Sequence, residues 1–193
     1  MSKEKKYFLI VLGCILITAL SRLFPHLWNF TPVAAIALFG GVYFKDIKWA
    51  FIAPIACLLF SDLLLQGKFI AGIAEYPALY SGIWMTYLSF ALVIGLGILI
   101  RKKPSLLKVM GASIVGSVLF FLITNFGAWM TDHQYYPIKS VESLIYAYEL
   151  GLPFFRGTLM GDLFYNAVLF GSFAFLSRKV DVLQPQTVRV KRN

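Results

Sequence analysis

Two aspartates stand in stretches otherwise suited only to lipid or a protein interior. Asp62 lies in Leu58-Leu59-Phe60-Ser61-Asp62-Leu63-Leu64-Leu65, and Asp162 follows Gly161 in a run that continues Leu163-Phe164-Tyr165. A carboxylate in such surroundings is costly and needs a partner, so it marks a structural ion pair, a solute site or a proton-handling group. The partners on offer are Arg22 and Arg156, cations that can pair with a carboxylate or bind an anionic solute. Amide side chains add to the set: Asn29, Asn125 and Asn166. Thr158, Asp162 and Asn166 follow i, i+4, i+8 and share one helix face, while Asn125 and Trp129 share another. Ser113, Ser117 and Thr124 continue a small, polar stripe down nearly the same face as Asn125. Such stripes belong inside a bundle rather than against lipid. Together these groups suit a pocket for a small polar solute, with Trp129 stacking on it. The competing expectation is that they bond one another and only hold the bundle together.

Other chemistry is poorly provided for. His26 is a candidate ligand or titrating group beside Asn29, but His133 reads as a loop residue, and two isolated histidines make a weak transition-metal site. Cys14 and Cys57 sit in apolar runs without metal or disulfide spacing and read as packing residues. No phosphate-binding loop, zinc-protease motif or serine-hydrolase elbow occurs. An intramembrane enzyme using Asp62 and Asp162, in the manner of aspartyl proteases, is a third expectation, but the flanking motifs of that chemistry are missing. No cofactor is implied.

The elements that must position these residues follow from composition. The chain has 193 residues, 59% hydrophobic and only 14% charged, well outside the range of soluble domains. The apolar residues fall in blocks long enough to cross a bilayer, which takes about 20 residues for about 30 Å. Without the alternation of a membrane barrel, they predict an all-α membrane protein with six transmembrane helices over 7–24, 31–44, 49–65, 80–100, 106–130 and 158–176. One integral membrane domain then covers 1–193, with a long outer loop at 131–157, in which 141–150 has amphipathic character, and a cytoplasmic tail at 180–193. The first helix reads as an uncleaved span rather than a secretory signal.

Charge orients this layout. With the N-terminus inside, 14 of the 18 lysines and arginines fall on inner segments and 4 on outer ones, which predicts both termini in the cytoplasm of a cell-membrane protein. The net charge of +9 is therefore a matter of orientation, and nucleic acid is excluded as a partner. In this frame Asp62 lies roughly 20 Å up helix three and most of the polar groups fall in the outer half. Gly157 and Gly161, and the small residues Ala34, Ala35, Ala37, Gly40 and Gly41, read as close-packing sites or as a docking face for another subunit.

The stretch Arg22-x-x-Pro25-His26-x-x-Asn29-Phe30-Thr31-Pro32-Val33-x-Ala35 resembles the signature of a bacterial membrane-protein family of undefined function whose members are labelled transport proteins. Ser61-Asp62, Thr124-Asn125-Phe126-Gly127-Ala128-Trp129, Leu152-Pro153-Phe154-Phe155 and Gly161-Asp162-Leu163 follow in the order found there. More coarsely, the chain is similar to S-components of energy-coupling-factor transporters. That resemblance implies a six-helix bundle with both ends inside, which binds a vitamin-like molecule or ion near the outer face. It also implies a separate membrane coupling subunit with ATPases as partner. S-components carry an A-x-x-x-A docking motif on helix one, where this chain offers only Gly13 and Ala19. The alternative expectation is a non-transporting scaffold or assembly subunit.

Overall fold

The computed structural model describes residues 2–25 and 27–179, so the tail at 180–193 lies outside the described residues. These residues form six α-helices: α1 Lys3–Leu20, α2 Val33–Tyr43, α3 Ile47–Ile70, α4 Ile83–Ile100, α5 Leu106–Thr131 and α6 Val141–Lys179. A short 3-10 helix, Ser21–Leu23, continues α1. Four of the starts are capped locally. The side chains of Ser2, Asp46, Ser105 and Ser140 accept from the backbone N–H of Lys5, Lys48, Lys108 and Ser143, supplying acceptors to first-turn N–H groups that have no intrahelical partner.

Five helices are long and apolar enough to cross a membrane, as in a multi-pass membrane protein; α2 is not. With 11 residues at about 1.5 Å each it is roughly 16 Å long, about half a bilayer core. This corrects the expectation of six spanning helices: hydropathy marks α2 as apolar, yet its apolarity serves a protein interior. Ten of its 11 residues are buried, because the other helices surround it. Its small residues permit that. A Cβ on Gly41 would lie 2.3 Å from the Ile94 carbonyl oxygen, one on Gly97 would lie 2.5 Å from that of Leu38, and one on Gly40 would strike Pro54. Backbones of α2 and α4 thus meet directly. Phe39, Ile36, Leu38, Phe90 and Ile94 fill the core around them. The small face of α2 is consumed inside the chain and is not presented to another subunit.

The chain enters α2 through a non-helical stretch at 27–32 that lies against α6. A Cβ on Gly157 would come within 2.1 Å of the Trp28 carbonyl oxygen, and one on Gly161 within 3.0 Å of the Thr31 nitrogen. Trp28 stacks on Phe154, and Phe30 packs on Phe164 and Tyr165. The Gly157-x-x-x-Gly161 pair therefore admits the chain's own backbone. Asn29 takes a left-handed φ of 55°, a conformation asparagine tolerates better than most residues.

The last helix begins at Val141, where the sequence reading has an outer loop up to 157 with an amphipathic stretch at 141–150; that stretch is the first part of α6. Hydropathy begins late in this helix because residues 141–150 mix polar with apolar groups, including Glu142, Ser143 and Glu149. Pro153 sits within it and cannot donate to the Glu149 carbonyl. The early part of α6 is tied to α5, as Tyr148 donates to the Leu122 carbonyl and Trp129 Nε1 donates to Ser143 Oγ. At the opposite end of the bundle Tyr7 of α1 packs on Phe173 of α6 and donates to the Tyr43 carbonyl at the end of α2. The start of α1 and the end of α6 thus lie together, at the end that also carries Lys45, Lys48, Lys102, Lys103 and Lys108. We call this the basic end, and the end bearing the 3-10 helix the far end.

Candidate functional site

Two adjoining cavities of about 270 and 130 Å³ open among the helix ends at the far end. The larger is lined by Arg22, Asn29, Thr31, Asp62, Tyr80 and Asp162, with Phe120, Thr124 and Thr158 between them. The smaller shares Asn29, Phe120, Thr124 and Thr158 and adds Asn125, Phe121 and Phe155. Non-helical backbone at 29–31 forms part of the wall. Irregular backbone is tolerated at such depth where it lines a cavity.

Each carboxylate is held from a different element. Asp62, on α3 and 3% exposed, accepts from Arg22 Nη1 at 2.6 Å and from the Tyr87 hydroxyl of α4 at 2.7 Å. Arg22 Nη1 also donates to Ser61 Oγ at 2.6 Å. One ion pair therefore ties the end of α1, through the 3-10 helix, to α3 and α4. Lys68 closes the same corner by donating to the Leu23 carbonyl at 2.7 Å. Asp162, on α6 and 1% exposed, lies 2.6 Å from Ser117 Oγ of α5. It also accepts from the Ala34 backbone N–H in the first turn of α2. No side chain of its own segment caps α2. Asp162 does so from a neighbouring helix, placing a carboxyl oxygen where first-turn N–H groups lack an intrahelical partner.

The remaining candidates divide. Asn125 donates to the Phe121 carbonyl at 2.8 Å and faces the smaller cavity, in space left open by Gly151. Asn166 lies one turn below Asp162 and lines neither cavity; its Nδ2 donates to Ser113 Oγ at 3.0 Å and to the Asp162 carbonyl at 2.8 Å. Trp129 is engaged with Ser143 and lines neither, so the stacking role assigned to it has no support from its position. Arg156 is exposed and lines neither cavity, so of the two arginines only Arg22 pairs with a site carboxylate. His26 lies outside the described residues. Sequence reasoning missed Tyr80, Thr86 and Tyr87 on and before α4. Their signal is weak, because hydroxyl groups are common in apolar helices and the spacing of Ile83, Thr86 and Tyr87 reads as ordinary packing.

The arrangement can receive a small molecule of mixed polarity. It offers an arginine, two carboxylates, the side chains of Asn29, Thr31, Thr124 and Thr158, and aromatic walls at Tyr80 and Phe120. No cluster of three or more potential metal-binding side chains occurs among the described residues. No curated protein and no solved structure matches the chain. The family model that does match covers residues 2–186, and the chain belongs to that family, a family of unknown function designated DUF6580.

Proposed function

We propose that this protein is the solute-binding part of a membrane transport system in the cell membrane. It takes a small polar solute from the outer side, with both termini in the cytoplasm. The observation that carries this reading is the far-end cavity of about 270 Å³, lined by Arg22, Asp62 and Asp162 from three different elements. A purely structural polar cluster would close on itself and leave no such space. The volume sits near the lower edge of the roughly 300–1,000 Å³ common for small-molecule sites, which favours a compact solute. The 14-to-4 distribution of cations supports assigning the basic end to the cytoplasm, so the cavity faces outward.

The size and helix number are those of S-components. The chain has no phosphate-binding loop of its own, so a separate coupling subunit with ATPases would supply the energy. Such a subunit would dock on a face other than α2, whose small residues are buried. The scaffold reading is favoured by one feature: both carboxylates already have partners within the chain. The two readings separate in a thermal-shift screen of purified protein against vitamins, nucleosides, amino acids and metal ions. Transport predicts that at least one class raises the melting temperature at saturation. A flat response across the screen supports the scaffold.

A further inference from the structure

A second space lies below the cavity, on the basic side of the same two helices. It is a mostly apolar groove of about 480 Å³ between the start of α5 and the end of α6, with Ser105, Val109, Asn166, Ala167 and Phe170 in its walls. Asp162 lines the cavity above and Asn166 lines the groove below. They are four residues apart on one helix, so about 6 Å of α6 separates the two spaces. Across that interval the seal against α5 is polar. Ser117 Oγ meets Asp162 at 2.6 Å, and Asn166 Nδ2 donates to Ser113 Oγ at 3.0 Å. Ser113 and Ser117 are 1% and 0% exposed. Hydrogen bonds between small polar side chains are common across packed membrane helices and each contributes little, so a seam built from two of them is weak enough to open. Here, moreover, the seal is incomplete in its bonding: Asn166 Oδ1 is buried without a hydrogen-bond partner. An orphaned buried acceptor is a cost to the closed arrangement and is relieved by any state that hydrates it.

We infer that the α5–α6 seam at Ser113, Ser117, Asp162 and Asn166 is the inner gate of the solute path, opening the cavity into the groove and so to the basic side. This inference rests on the transport reading. At the seam two side-chain contacts break, while Tyr148–Leu122 and Trp129–Ser143 keep α5 and α6 joined towards the far end, so the opening is a splaying of their basic-side halves with α2 as the fixed element.

The test is thiol accessibility in the full-length protein carrying Cys14→Ala and Cys57→Ala, in membrane vesicles of both orientations. The probe is a charged, membrane-impermeant methanethiosulfonate. Ser113→Cys changes one atom and is tolerated sterically, Ala167→Cys in the groove reports folding and access, and Thr158→Cys reports the outer cavity. The gate predicts that Ser113→Cys is modified at least tenfold faster from the basic side than from the far side. The inference is overturned if Ala167→Cys reacts to completion from the basic side while Ser113→Cys stays unmodified. In that case reaction of Thr158→Cys from the far side leaves the cavity reading standing and removes only the gate. Failure of Thr158→Cys to react from the far side removes both.

Discussion

Replacing Arg22 by alanine is the sharpest structural perturbation available, because one side chain joins three elements. Nη1 of Arg22 lies 2.6 Å from Asp62 Oδ1, and the Asp62 side chain is only 4% exposed. Removing the arginine leaves a carboxylate with the Tyr87 hydroxyl as its remaining side-chain donor. Breaking a buried pair from one side typically costs about 3–5 kcal/mol, mostly through the uncompensated charge. The arginine itself is 14% exposed, so part of that charge is hydrated once it is gone and the lower half of the range applies. At roughly 2–4 °C per kcal/mol for a chain of this size, Arg22→Ala should lower the melting temperature in detergent by roughly 6–16 °C. Arg22→Ala combined with Asp62→Asn removes the stranded charge and should recover about half of the loss, giving a clear coupling energy in a double-mutant cycle. The assay is thermal unfolding followed by tryptophan fluorescence or aggregation of the purified protein. A melting temperature for Arg22→Ala within 2 °C of the parent, or strictly additive single variants, would refute the ion pair as the tie between α1, α3 and α4.

Other outcomes follow from the same geometry. Gly41→Val should destabilise the protein by about 1–3 kcal/mol or prevent its accumulation, since the Ile94 carbonyl and Gly97 occupy the space. Gly95→Ala on α4, where nothing lies within 4 Å, should instead be neutral or stabilise by up to about 1 kcal/mol in the same melting assay. Ser117→Ala takes a donor from buried Asp162 and should cost about 1–3 kcal/mol, read as a lower midpoint in denaturant. Gly157→Ala should displace the Trp28 backbone and weaken solute binding more than it lowers stability, measured as the ratio of dissociation constants against the change in midpoint.

The parts of this fold legible in the sequence are those governed by hydropathy and local capping. The long blocks at 49–65, 80–100 and 106–130 fall within or on α3, α4 and α5, because an apolar run of that length has few alternatives to a helix. The role of α2 was not legible from its hydropathy: a lipid-facing helix and one wrapped by protein are equally apolar. Only the backbone contacts of Gly41 and Gly97 distinguish them. The start of α6 was partly legible, since 141–150 has amphipathic character; its continuity with the span was not, because that stretch mixes polar with apolar groups and Pro153 suggests a break. At the site, Asp62 and Asp162 were legible because a carboxylate in an apolar run is rare. Depth along a helix is a poor guide to a pocket one turn wide, however, which is why Asn166 and Trp129 were grouped with the cavity. Asn166 lies one turn too low, and the Trp129 side chain is engaged with Ser143. The Asp162 contact with Ala34 of α2 depends on packing between distant segments and has no local sequence signal.

The most direct test of the central claim is mass spectrometry of small molecules retained by the gently purified protein, compared with a Thr158→Trp variant whose side chain fills the far-end cavity. The account predicts a discrete polar solute carried by the parent protein and absent from an equally stable, folded variant. An identical small-molecule content in both proteins, or retention of lipid alone, would contradict it.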